Sequence, residues 1–70
     1  MTTIITLSNI NNNNNIETIC FVMEQGASTM IERRIGAKLV ARSHYSVEEG
    51  IEVMNMYLKD GYRMEARRSL

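Results

Sequence analysis

The sequence predicts an α+β fold: a small antiparallel sheet of three to five strands, with one amphipathic helix (about 46–60) packed across it. Two observations carry this expectation. One is a helix whose two ends are both specified by residue type; the other is a set of short alternating segments separated by turn residues. A third, the length of 70 residues, limits the chain to a single domain, 1–70, with one small core.

The helix is the best-defined element. Ser46 is a strong N-cap, and Glu49 three residues later completes a capping box. Asp60-Gly61 stops the run, with Gly61 where a left-handed backbone is needed and Tyr62 behind it to pack on the last turn. On a helical wheel Val47, Ile51, Met54 and Leu58 form one stripe, with Val53 and Tyr57 on its shoulder. Glu48, Glu52, Asn55 and Lys59 lie opposite and are expected to be exposed. Gly50 interrupts good helix formers, and the favoured reason is close packing of the helix on the sheet.

The strands follow from alternation and β-branched content. Residues 2–7 (TTIITL) read as a strand, and a mobile Asn-rich loop is expected at 9–15. Residues 16–24 (IETICFVME) form the strongest strand, apolar on both faces and so central. Residues 29–35 return after the turn signal Gln25-Gly26-Ala27-Ser28, although 28–40 could also be drawn as a helix bounded by Gly26 and Gly36. Residues 37–45 alternate with Leu39 and Ala41 on one face, and 62–67 could add an edge strand. If 62–67 paired beside 37–44, the intervening helix would make a right-handed crossover. The expected core is Ile19, Phe21, Met23, Ile31, Leu39 and Ala41 beneath Val47, Ile51, Met54 and Leu58.

Charge narrows the function classes. Eight basic and eight acidic side chains give a net charge of zero, unlike a uniformly basic nucleic-acid binder or an acidic DNA mimic. The layout is uneven: residues 16–45 carry +1, the helical segment 46–60 carries −3 and residues 61–70 carry +2. A single cysteine, Cys20, excludes an internal disulfide and points to a reducing, cytoplasmic setting. No apolar run has the length of a membrane span, and no membrane partner is expected.

Catalytic chemistry is nearly absent. Cys20 and His44 are the only cysteine and histidine, and they could meet across a sheet with Glu17 or Glu24 orienting the base. A cysteine in the most apolar strand is far more often packing than nucleophile. Two such residues cannot build a structural zinc site, and the four glycines do not form a phosphate loop, so no metal, cofactor or enzymatic activity is expected.

What remains is binding. Met56 points away from the core stripe and, with Val53 and Tyr57, makes an adaptable apolar strip. Arg33, Arg34, Arg63, Arg67 and Arg68 would form its polar rim. These residues suit a protein-binding regulator or inhibitor that covers a surface on a larger protein or ribonucleoprotein, or that forms a homodimer. From size alone, a viral (phage-type) inhibitor of host defence or an antitoxin-like protein fits the class. The alternative is a nucleic-acid-binding regulator, with Arg33, Arg34, Lys38, Arg42 and the C-terminal arginines along one sheet edge and His44, Tyr45 and Tyr62 as stacking groups.

Overall fold

The computed structural model describes residues 1–11 and 13–70. It contains β1 (Thr2–Ile10), β2 (Ile16–Glu24), β3 (Thr29–Ile35), β4 (Lys38–Tyr45), α1 (Val47–Lys59) and β5 (Arg63–Ser69). The strands form one antiparallel sheet in the order β4-β3-β2-β1-β5, with α1 against one face. The α+β expectation therefore holds, residues 28–40 are extended rather than helical, and β2 is the central strand.

Three turns of chain set this up. Asn9 and Ile10 belong to β1, so the connection to β2 is shorter than the expected 9–15. Asn11 opens it: its backbone N–H donates to the Asn15 carbonyl at 2.9 Å, and its side-chain Oδ1 accepts from the Asn13 and Asn15 amides at 2.9 and 3.1 Å. Asparagine offers this local bonding and tolerates the left-handed φ of 61° found at Asn14. Asn12 lies outside the described residues. The other hairpins turn at Gly26 and Gly36, both with positive φ.

The helix caps are those the residue types require. The Glu49 amide donates to Ser46 Oγ at 3.1 Å, and the Ser46 amide donates back to the Glu49 carboxylate at 3.3 Å. At the far end Gly61, with φ of 98°, donates to the Leu58 carbonyl, and Tyr62 donates to the Tyr57 carbonyl at 3.1 Å. That pair of bonds is a Schellman motif, and its apolar contact is the Tyr57–Tyr62 ring pair at 4.9 Å.

Pairing register assigns the faces. On the inner face, Ile5, Phe21 and Ile31 lie in one cross-strand row and Leu7 and Ile19 in the next. With Met23 these are the buried apolar residues, and Tyr45, Val53, Met54, Tyr57, Leu58 and Tyr62 pack around them. Ile5 and Leu7 add to the expected core, because β1 sits inside the sheet between β2 and β5 and turns both side chains to the helix face.

Leu39 and Ala41 are exposed, against expectation. A bulge in β4 leaves Val40 unpaired between Ala41, opposite Arg33, and Leu39, opposite Arg34. The extra residue breaks the alternation and sends Leu39 to the outer face, while Ala41 stays inner but lies on the edge strand. Nor does β5 pair with β4: it lies at the opposite edge beside β1, so the strand–helix–strand unit of adjacent strands is not formed.

The helix is rotated from the expected stripe. Gly50 is its only fully buried residue, and Ile51 is 42% exposed. Taking 100° per residue, the line of closest approach runs through Gly50, Val53, Met54 and Tyr57, roughly 80° from the centre of the Val47, Ile51, Met54 and Leu58 stripe. The cause is Gly50 itself: with no side chain it brings the helix backbone directly onto Thr29, and the residues flanking that line do the burying. Glu48, Glu52 and Lys59 are exposed, as expected.

Candidate functional site

Two surfaces and one polar cluster bear on function. The first surface is the outer sheet face, opposite α1. Register places Arg68, Ile4, Val22, Met30 and His44 in one row across all five strands. The neighbouring row is Ala66, Thr6, Cys20, Glu32 and Arg42. A third contains Arg63, Ser8, Thr18, Arg34 and Leu39. The middle of this face is thus apolar or small, and arginines stand toward both margins. No helix or second sheet covers it, since α1 is the only helix among the described residues and packs on the other side.

The electrostatics follow from strand order. Arg42 Nε donates to Glu32 at 2.9 Å, and Arg34 reaches the same carboxylate at 3.8 Å, so one acid serves two cations. Arg63, Arg67 and Arg68 on β5 have no carboxylate within 4.0 Å among the described residues. The helix layer holds Glu48, Glu49, Glu52 and Asp60 against Lys59. The uneven charge along the chain therefore becomes an acidic helix side above a sheet with basic margins.

The structure divides the expected rim. Arg33 and Arg34 lie on β3 and Arg63, Arg67 and Arg68 on β5, with β2 and β1 between them. They also alternate in face: Arg34, Arg63 and Arg68 are outer, Arg33 and Arg67 inner. A single basic sheet edge, which the nucleic-acid alternative needed, is not formed. Its stacking groups separate as well: Tyr45 and Tyr62 are half-buried among the helix-side contacts, leaving His44 on the outer face.

The second surface is the expected strip. Val53 and Tyr57 do lie beside Met56, but both also pack on the core, Tyr57 meeting Phe21 edge-on with ring centroids 6.3 Å apart. Met56 is 64% exposed. Together with Tyr45 and Asp60, which the sequence did not mark for this role, the three line an open groove of about 270 Å³.

The polar cluster lies on the inner face, where α1 leads into β5. Glu17 Oε1 accepts from Arg33 Nε and Nη2 at 3.0 and 2.8 Å and from the Tyr62 hydroxyl at 3.1 Å. The Arg33 hydrogen bond holds the Glu17 carboxyl below its ordinary value, against the opposing effect of burial and with help from Tyr62. Arg33 is shifted up by the same contact, and Tyr62 is pushed up by burial and then by Glu17. A carboxylate so stabilised is a poor proton acceptor, and the cluster serves to fasten the segment after the helix to β2 and β3. No periodicity marks it, since its members are 16 and 45 residues from Glu17 in sequence.

Glu17 makes a prediction about pH. Its folded value lies below the unfolded one near 4.5, so its stabilising contribution is complete above that value and is lost as pH falls through the folded one. Thermal melts from about pH 5 down to about pH 3 should show a larger fall in Tm for wild type than for Glu17→Gln. Parallel falls would assign the acid sensitivity to other groups.

Cys20 and His44 do not meet. Cys20 is opposite Glu32 and His44 opposite Met30, with β3 between them and an offset along the strands, which together separate their backbones by about 12 Å. Burial, reinforced by Glu32, raises the Cys20 thiol and makes it less nucleophilic. Among the described residues no three His, Cys, Asp or Glu side chains are grouped to hold a metal ion, and no helix is long and apolar enough to cross a membrane. No protein-family model, curated protein or solved structure matches the chain.

Proposed function

We propose that this chain is a non-catalytic protein-binding regulator or inhibitor that acts by lying on a surface of a larger protein or ribonucleoprotein. The observation that carries this reading is the outer sheet face. A solvated sheet face ordinarily alternates to polar residues. Here one row places Ile4, Val22 and Met30 side by side on the three inner strands, with Arg68 and His44 at its two ends. An apolar centre with an arginine-bearing margin is the composition of a protein interface.

Size and charge define the partner further. Five strands of about seven residues span roughly 24 by 23 Å. Covering that face on both partners removes on the order of 1,100 Å² from water, near the lower bound for a specific interface. Two copies face to face, related by an axis across the strands, would set each arginine-bearing margin against its own copy. A partner with acidic groups around an apolar patch fits better than a second copy. An inhibitor of host defence or an antitoxin would be a biological instance of such a covering protein.

The test is capture from cell lysate with and without nuclease, comparing wild type with Arg63→Glu/Arg68→Glu. Both arginines are exposed on an edge strand and make no ion pair among the described residues, so the variant should keep its melting temperature. Expected are protein bands that survive nuclease and are lost, or strongly weakened, in the variant. Capture that needs nucleic acid, or that is indifferent to the reversal, would overturn the proposal.

A further inference from the structure

The groove beside α1 has the opposite chemistry from the sheet face. Val53, Met56, Tyr57 and Asp60 recur at the spacing of one helix flank, and Tyr45 closes the groove from the end of β4. Its volume of about 270 Å³ is slightly below the range of small-molecule sites and suits one or two side chains. The walls are two phenol rings, a valine and a thioether, and the one charged group is the Asp60 carboxylate.

Three observations give the occupant its charge. Asp60 makes no ion pair within 4.0 Å among the described residues. It caps the C-terminal end of α1, where the helix dipole is already negative. Glu49 and Glu52 precede Val53 and Met56 by four residues each, so the same flank continues acidic toward the N-terminus. Of the chain's own cations, Lys59 is next to Asp60 in sequence but makes no ion pair within 4.0 Å among the described residues, Arg33 is held by Glu17, and Arg63, Arg67 and Arg68 stand on the far edge strand.

We infer that this groove receives an arginine side chain from a partner protein. Its guanidinium pairs with Asp60 and stacks on a tyrosine ring, and its methylene stem lies against Val53 and Met56. Arginine suits the site better than lysine because its planar group can fork to a carboxylate and stack on a ring together. This surface is distinct from the sheet face, so either assignment can fail without the other.

The experiment is a ¹H–¹⁵N titration of the full chain with the blocked tripeptide Gly-Arg-Gly, against the same peptide carrying citrulline, which keeps the shape and removes the charge. Expected are saturable shifts at the amides of Val53, Met56, Tyr57 and Asp60 with arginine only. Asp60→Asn, at an exposed cap that asparagine also suits, should weaken that binding about fivefold. Met56→Lys should compete with the ligand and abolish it. Equal shifts with citrulline, no shifts at these amides, or binding unchanged in both variants would overturn the inference. Shifts at the same amides on raising protein concentration without peptide would give the groove to a second copy, and would overturn it too.

Discussion

Phe21→Ala should cost about 3–5 kcal/mol of folding stability and leave the chain largely unfolded at 37 °C. Phe21 is fully buried on the central strand, with Ile5 and Ile31 beside it in the same row and the Tyr57 ring edge-on above. Removing it opens a cavity under the helix that the sheet, held by ladders on both sides, cannot collapse to fill. A single core in a chain this small rarely supplies more than about 3–5 kcal/mol in total, so one such loss decides the folded fraction. Ile51→Ala is the matched comparison: at 42% exposure it should cost less than about 1 kcal/mol. Urea denaturation followed by far-UV circular dichroism measures both. Equal costs at the two positions would mean that the helix sits in the orientation expected from its apolar stripe.

Gly50→Ala is expected to destabilise by about 2–3 kcal/mol, although in an ordinary helix interior the same change gains about 1 kcal/mol. A Cβ built at Gly50 would meet Thr29 Oγ1 at 2.6 Å and its Cβ and Cγ2 at 2.7 Å. Rotating the threonine does not help, because its own Cβ is fixed to the strand backbone. The helix has to lift, and Val53, Met54 and Tyr57 lose contact with the core together. The pair can be isolated by a double-mutant cycle with Thr29→Gly, in which the cost of Gly50→Ala should shrink by at least about 1 kcal/mol. A Gly50→Ala protein more stable than wild type would show that this approach is not tight in solution.

The same glycine marks the boundary of what was legible in the sequence. Ser46, Glu49 and Gly61 specify the helix ends by local bonding, and those ends were found where their chemistry put them. Its rotation was not legible, because an apolar stripe counts side chains and Gly50 has none to count. Alternation correctly put Ile19, Phe21 and Met23 on one face of β2, since a face needs only the strand's own residues. It failed at Leu39, where one unpaired residue shifts the parity of everything beyond it. Strand order is a long-range property with no local signature. For that reason the arginines of β3 and β5 were gathered into one rim, although two strands separate them. The strip at Val53, Met56 and Tyr57 was visible as helical spacing, whereas Tyr45 and Asp60 join it only through the fold. The outer face was hidden for the same reason: its rows exist only once five segments are in register.

The pairing of β1 with β5 has a mechanical consequence. Thr3 lies opposite Ser69, and the Leu70 amide donates to the Thr2 carbonyl at 2.8 Å, so the two ends of the described chain are side by side. Because the strands are antiparallel, a load drawn through these residues acts across the ladder and opens its bonds one pair after another, as in a zipper. The load would not have to break the whole row in shear. Tension entering there peels β5 away first and leaves the hairpins of β2, β3 and β4 and the glycine-seated helix to bear force only afterwards.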